Sequence, residues 1–193
     1  MIRGTLHTQL CSIFDIKYPI LLAGMGGAAT PELAAAVSNA GGLGILGAAA
    51  LGPDELSEWI KRTRKLTDKP FGVDTLLPST VPQSGSTSQF RAELPQAHVD
   101  FAKKFKQRHQ IGDPDRSSPR RGAMAFSRDF FNKQIDVVLD EKVPVYVSGL
   151  GDPGFMVKEA HARGMKVMAV AGAVKHALRF VDSGLDVIVA QGT

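Results

Sequence analysis

The chain has 193 residues, of which 44% are hydrophobic and 22% are charged, and its net charge is +4 at neutral pH. This composition excludes a chain that is disordered throughout and is sufficient for one sizeable hydrophobic core. The basic residues concentrate between residues 61 and 121 without an aromatic platform or recognition motif, so we expect a solvated basic face and no nucleic-acid partner.

The sequence offers no sign of a disulfide, a metal site or a membrane anchor. Cys11 is the only cysteine, and there is no Glu-x-x-His or Cys-x-x-Cys cluster. The longest apolar stretch, residues 41–52, is shorter than the roughly 20 residues that span a bilayer. The first residues lack the apolar core of a signal peptide. We therefore predict a cytoplasmic protein with no metal and no membrane partner.

Predicted strands alternate with predicted helices along the chain. The strands span residues 18–23, 42–46, 70–77, 143–147, 166–170 and 186–189. They are nearly continuous apolar runs, as in parallel strands that helices cover on both faces. Three of them follow a helix that ends at a glycine (Gly41, Gly164 and Gly184), where a left-handed residue is needed. The pattern predicts an α/β fold built from repeated βα units.

Residues 78–122 interrupt this repeat. They contain several prolines, a Ser-rich run at 84–88 and scattered charges. We interpret them as a long irregular insertion with one helix near 95–109. The repeat resumes with a helix at about 128–141, so we predict a single domain over residues 1–193.

Two glycine-rich segments match the spacing of a dinucleotide-binding turn. Residues 42–47 lie inside a predicted strand, whereas residues 24–29 lie between a strand and a helix, as the motif requires. No Asp or Glu occurs in residues 41–52, where a Rossmann fold presents an acid to the ribose. The glycines could instead form a tight turn, or let the backbone approach a flat cofactor or a phosphate at the carboxyl edge of a barrel.

Small and polar residues follow four of the predicted strands. In a barrel these strand ends meet on one face, which holds the active site in barrel enzymes. Each residue also has a structural alternative as a cap, a turn former or a loop end. None of the five histidines has a setting that indicates a catalyst. The candidate binding residues are Ala23, Gly24, Met25, Asp74, Ser148, Gln191 and Gly192.

Residues 19–46, and above all Thr-Pro-Glu-Leu-Ala-Ala-Ala-Val-Ser-Asn-Ala-Gly-Gly-Leu-Gly at 30–44, resemble the N-terminal signature of the nitronate monooxygenase (2-nitropropane dioxygenase) family. The similarity continues through residues 69–73, 134–153 and 164–192. The resemblance implies a TIM-type (β/α)₈ barrel that binds FMN, with about six of its eight βα units present in this chain.

The resemblance also implies the chemistry. Members oxidise small alkyl nitronates with O₂ to a carbonyl compound and nitrite. Ala23–Met25 match the family segment that lies against the flavin, and Gln191 and Gly192 match its glutamine and glycine after strand six. Asp74 stands where many members have Asn, and an ionised Asp only accepts hydrogen bonds and adds negative charge.

The resemblance leaves the activity of this chain open. The chain ends at Thr193, before the position where the family's catalytic His would follow, so we expect a truncated chain and assign no catalytic residue. The loops that usually hold the cofactor phosphate, after strands seven and eight, also lie beyond it. Two alternatives are a flavin-dependent enoyl thioester reductase of the same family and an inactive half-barrel acting in assembly or regulation. The sequence leaves a homo-oligomer open.

Overall fold

A computed structural model describes residues 6–81, 83, 94–112 and 127–191 of the chain. No helix in these ranges combines the length and apolar character that crossing a membrane requires. The elements in chain order are α1 (Gln9–Phe14), α2 (Pro31–Asn39), β1 (Gly44–Gly47), α3 (Pro53–Leu66), β2 (Phe71–Leu76), α4 (Gln96–Arg108), α5 (Arg128–Asp140), β3 (Val145–Leu150), α6 (Gly154–Ala162), β4 (Lys166–Ala171), α7 (Val174–Asp182) and β5 (Val187–Ala190).

The five strands form one parallel sheet in the order β1-β2-β3-β4-β5. Each strand pairs with the next one in the chain, and helices connect the successive strands. Sequential parallel strands joined by helical crossovers are the connectivity of a (β/α) barrel. The structure therefore confirms the predicted α/β class and the partial barrel.

The predicted first strand, residues 18–23, is much shorter than expected. It meets the sheet at a single parallel bridge between Leu21 and Leu43. The Leu22 N–H donates to the Leu43 carbonyl, and the Leu43 N–H donates to the Ile20 carbonyl, both at 2.9 Å. Pro19 has no N–H to extend this ladder. The segment therefore lies at the sheet edge beside β1, where a sixth strand would be, but it is too short in its pairing to count as a strand.

The predicted helix ends and the insertion helix are found where expected. Gly41, Gly164 and Gly184 follow their helices with φ of +98°, +78° and +78°, which confirms their role as left-handed C-terminal residues. The helix predicted inside the insertion is α4. Most other residues of 78–122 lie outside the described ranges.

The outer face of the sheet packs against the helices in the main hydrophobic core. Leu46, Val73, Tyr146 and Val167 are fully buried there together with side chains of α3, α5 and α6. The approach of α2 is close because β1 begins with Gly44. A Cβ at this position would overlap the backbone carbonyl group of Ala34.

The inner face of the sheet is covered by α1 near the beginning of the strands. Ile45 of β1 and Val145 of β3 pack there against Cys11 and Phe14. Cys11 is 1% exposed and behaves as a small hydrophobic residue. Asp74 is an inner residue of β2, and it pairs in register with Val147 of β3, which belongs to this cluster.

A buried amide fixes the loop after β1. Gln134 of α5 is fully buried, and its Nε2 donates to the carbonyls of Ala48 and Leu51 at 2.8 Å each. Its Oε1 has no hydrogen-bond partner among the described residues. The side chain therefore ties the loop at the carboxyl end of β1 to α5.

Replacing Gln134 by Leu is expected to lower the free energy of unfolding by about 2 kcal/mol. The Leu51 carbonyl loses this donor and the Ala48 carbonyl keeps only the Leu51 N–H, while one unpaired oxygen is removed. Urea denaturation measures the change. The same replacement at Gln107, an exposed residue of α4, should leave the free energy nearly unchanged. Equal losses in the two variants would contradict this role for Gln134.

Candidate active site

Asp74 is the central polar group at the carboxyl edge of the sheet. It lies in β2, one residue after the outward-facing Val73, so its side chain points to the inner face. Its Oδ1 accepts a hydrogen bond of 2.8 Å from the Gly149 N–H, and its Oδ2 lies against Gly24. The carboxyl is therefore held between the segment before α2 and the end of β3.

Glycine at both neighbours leaves room for this carboxyl in its observed position. A Cβ at Gly24 would overlap the Asp74 carboxyl, and a Cβ at Gly149 would lie 2.8 Å from Oδ1. Two backbone segments without side chains consequently flank one buried acid. Such a surface lets a ligand approach the main chain closely.

Burial raises the pKa of Asp74 to about 7, while the hydrogen bond from the Gly149 N–H acts in the opposite direction. In a large fraction of the molecules the Asp74 carboxyl is therefore protonated near neutral pH. A protonated carboxyl donates as well as accepts, as an asparagine amide does. The sequence analysis considered only an ionised Asp74, which accepts hydrogen bonds and cannot donate them. The raised pKa makes the donating form available as well.

The Ala23–Met25 segment lies beside Asp74 in a tight turn. The Met25 N–H donates to the Ala23 carbonyl at 2.9 Å, and the Met25 carbonyl accepts from the Ala29 N–H at 2.9 Å. Gly47 permits this path, because a Cβ there would overlap the Met25 carbonyl. Ala23 is exposed and Met25 is 45% exposed, so both are available to a ligand.

The Ser148 hydroxyl does not join this group. Ser148 is fully buried, and its Oγ lies 3.0 Å from the Leu150 carbonyl and 3.2 Å from the Gly151 carbonyl, to which it can donate. Its side chain points to the helix-covered face, and the residue that meets Asp74 from β3 is Gly149. Ser148 thus shapes the turn after β3.

A cavity of about 550 Å³ opens beside Gly149 at the same edge. Gln191, the last described residue, is exposed and lines it. Gly192 lies outside the described residues. The structure therefore places Gln191 at the same edge of the sheet as Asp74 and Ala23–Met25. A binding role for these residues stays a prediction.

Three charged or titratable side chains of the cavity were not identified from the sequence as binding residues. His176 and Arg179 of α7 line it together with Asp152, whose carboxylate lies 3.8 Å from the guanidinium of Arg179. The sequence feature that could have identified them is the short connection from β4 to α7, because it places the first turns of this helix at the carboxyl edge of the sheet. Arg179 brings a permanent positive charge to the cavity, and the Asp152 carboxylate beside it brings a negative one.

No group of three or more His, Cys, Asp or Glu side chains within the described ranges could hold a metal ion. The ligand groups at this edge are instead backbone amides, the buried acid Asp74, the Gln191 amide, and the imidazole, guanidinium and carboxylate of His176, Arg179 and Asp152.

The fold and this site define a class: a parallel α/β barrel whose ligand face lies at the carboxyl ends of its strands. The nitronate monooxygenase family model matches residues 7–193. The chain therefore belongs to the nitronate monooxygenase family of oxidoreductases, as the sequence resemblance predicted.

Individual relatives agree with this assignment. A probable nitronate monooxygenase of Staphylococcus saprophyticus is 30% identical over 192 residues, which are 97% of this chain and 49% of the relative. FabK from Thermotoga maritima is similar in structure, with a TM-score of 0.67, 31% identity and coverage of 97% of this chain and 45% of FabK. Nitroalkane oxidase from Streptomyces ansochromogenes has a TM-score of 0.69 and 29% identity, with 96% and 49% covered. The chain spans about half the length of the curated relatives it matches.

Proposed function

We propose that this chain carries the flavin-binding face of an FMN-dependent oxidoreductase that oxidises alkyl nitronates with O₂ to a carbonyl compound and nitrite. The observation that carries the proposal is the Asp74 carboxyl held between Gly24 and Gly149 at the carboxyl edge of the barrel. A flat ring binds against a wall without side chains and beside a few polar groups, and this edge supplies both. The relatives named nitronate monooxygenase and nitroalkane oxidase support the substrate class.

The residues at this edge fit a flavin. The backbone of Ala23–Met25 and of Gly149 would hold the ring. Gly149 also lines the cavity, from which Gln191 would reach the ring. Arg179 would attract an anionic part of the ligand. Bound FMN would supply two-electron oxidation of the substrate and transfer of those electrons to O₂. We place the protein in the cytoplasm, with the nitronate and O₂ as its small-molecule partners.

Asp74 would control the hydrogen bonding at the ring edge. Below about pH 7 its protonated carboxyl can donate to a ring acceptor, and above this pH the carboxylate only accepts. We assign no catalytic base to the described residues. The role of Asp74 is to hold or release one proton beside the ring.

Replacing Gly24 by Ala is expected to weaken FMN binding about tenfold or more, because the added methyl group displaces the Asp74 carboxyl. A tenfold loss of affinity corresponds to only about 1.4 kcal/mol. Titration of flavin fluorescence measures the dissociation constant. Gly26→Ala is the matched control, since a Cβ at Gly26 meets nothing within 4 Å. Equal affinities for the two variants would contradict the placement of the ring at Gly24.

The alternative is reduction of enoyl thioesters with a reduced nicotinamide, which the sequence resemblance leaves open. The two activities are separated by joining the chain to the part of the S. saprophyticus relative that it does not span and assaying the flavin-loaded product. We expect O₂ uptake that depends on a nitronate. Nicotinamide oxidation with an enoyl thioester alone would favour the reductase, and inertness with both substrates would favour a half-barrel that acts in assembly.

A further inference from the structure

Helix α4 lies outside the hydrophobic core. None of its residues is buried, and none belongs to a core cluster. Within residues 94–112 only Val99 and Lys106 are partly covered, and every other residue is exposed. A helix of this length is marginal in water by itself and is normally stabilised by packing of an apolar face. The described part of the chain offers no hydrophobic cluster against which α4 packs.

An aromatic row runs along one side of α4. It consists of Phe101, Phe105 and His109, which follow each other at intervals of four residues, a spacing that places side chains on one face. The ring centroids of Phe101 and Phe105 are 6.1 Å apart, and those of Phe105 and His109 are 4.4 Å apart. Phe101 and Phe105 are 68% and 47% exposed. The row is therefore a contiguous aromatic surface that is open to the solvent.

Basic residues lie on both sides of the aromatic row. At 3.6 residues per turn, Lys104 and Arg108 fall on one side of the row and Lys106 falls on the other. Asp100, the one acid in the sequence of this helix, lies on the opposite face and accepts a hydrogen bond of 2.9 Å from Gln96. Helix α4 thus presents aromatic rings between positive charges, and the function proposed above uses none of these residues.

We propose that α4 binds an anionic lipid surface. The aromatic row enters the boundary between headgroups and acyl chains, and Lys104, Lys106 and Arg108 bind the lipid phosphates beside it. A helix with aromatic residues on one face and lysine or arginine next to them is typical of helices that lie in a membrane interface. Anionic lipids of the cytoplasmic leaflet attract such basic residues. This binding does not depend on a flavin or a nitronate.

This mode of binding differs from the one that the sequence argued against. The expectation of no membrane partner came from the lack of a long apolar stretch and of a signal peptide. A helix that lies in the plane of the surface needs neither. The inference therefore revises that expectation at α4, and it agrees with the finding that no helix in the described ranges could span a membrane.

Two other occupants fit α4 less well. A protein groove that takes an amphipathic helix holds apolar anchors over about two turns, whereas the row has two phenylalanines followed by a histidine. A second copy of this chain packed row against row would bring Lys104 and Arg108 close to the same basic residues of its partner, and like charges oppose association. An anionic surface instead compensates these charges.

The test is co-sedimentation of the 193-residue chain with vesicles made of phosphatidylcholine alone or of equal parts of phosphatidylcholine and phosphatidylserine. We expect binding to the vesicles that contain phosphatidylserine, weak binding to phosphatidylcholine alone, and a loss of binding as the salt concentration rises. Replacing Phe101 and Phe105 together by Ser should weaken binding at least about tenfold, because two rings leave the interface. Replacing Lys104 and Arg108 together by Gln should weaken it by a similar factor, because two charges that face the anionic lipids are lost.

Each α4 variant has a matched control elsewhere in the chain. For the phenylalanines it is Val174→Ser with Leu178→Ser, two residues of α7 that are 77% and 61% exposed. For the charges it is Lys158→Gln with Lys175→Gln, two exposed residues of α6 and α7. Both controls should sediment with the vesicles as the unmodified chain does. Because α4 has no buried residue, the α4 variants should unfold at the same urea concentration as the unmodified chain.

The proposal is overturned if the chain does not sediment with the phosphatidylserine vesicles, if it binds both kinds of vesicle equally, or if the controls weaken binding as much as the α4 variants. Light scattering without vesicles tests the occupant independently. Self-association that is abolished by replacing Phe101 and Phe105 would assign the aromatic row to a second copy and would also overturn the proposal.

Discussion

Replacing Asp74 by Asn is expected to make the protein more stable in mildly alkaline solution and to flatten the pH dependence of its stability. The folded-state pKa of about 7 lies above the ordinary value of 3.8, so between these values the folded protein holds a proton that the unfolded chain has released. The stability from this group is complete below pH 3.8 and is lost as the pH rises through 7. A pKa difference of this size corresponds to about 4 kcal/mol, and the amide, which does not titrate, avoids the loss.

The measurement is the free energy of unfolding by urea at pH 5 and at pH 8. Between the two pH values the unmodified chain should lose most of the roughly 4 kcal/mol that the pKa difference of Asp74 corresponds to. The Asp74→Asn variant should not show this loss. Asp68→Asn is the control, since the Asp68 side chain is 87% exposed and its replacement changes the net charge equally. If the free energy of unfolding of Asp74→Asn depended on pH as strongly as that of the unmodified chain, burial would not raise the pKa of Asp74 as described.

Replacing Gly44 by Ala is expected to lower the free energy of unfolding by about 3 kcal/mol, at the upper end of the usual cost of overpacking. The added Cβ would overlap the backbone carbonyl of Ala34, and a backbone group in a packed helix cannot move aside as a flexible side chain can. Helix α2 would have to shift away from β1. Because the Ala23–Met25 segment leads into α2, flavin affinity should fall as well.

Urea denaturation measures the loss of stability, and Gly172→Ala serves as the control. A Cβ at Gly172 meets nothing within 4 Å, so this variant should unfold at nearly the same urea concentration as the unmodified chain. A loss below about 1 kcal/mol for Gly44→Ala would show that α2 does not depend on this close approach.

The regular part of the fold could be predicted from the sequence because its signals are local. The apolar runs at 70–77 and 166–170 are too continuous for strands exposed on one face, and most residues of β2 and β4 are buried. Gly164 and Gly184 mark helix ends because a left-handed residue is needed at each. The strand predicted at 18–23 shrank to one bridge because an apolar run does not reveal whether a neighbour offers a full ladder.

The site could be predicted only in part because it depends on which face each side chain takes. The positions of Asp74 and Gln191 at the carboxyl edge follow from the βα order. Asp74 and Ser148 are one register step apart on paired strands, since Asp74 pairs with Val147. Because side chains alternate between the two faces of a sheet, Asp74 points inward, whereas Ser148 points to the other face and contacts the turn after β3. The pKa of Asp74 depends on how deeply Gly24 and Gly149 enclose it, and Arg179 reaches the cavity from a helix whose position is tertiary.

The most direct test of a flavin face at this edge is the visible absorption spectrum of the purified 193-residue chain after mixing with excess FMN and passage through a desalting column. We expect a retained flavin band in the unmodified chain and in Gly26→Ala, and a much weaker band in Gly24→Ala. A colourless unmodified chain would contradict the proposal that the backbone of Ala23–Met25 and Gly149, with Asp74, binds the flavin.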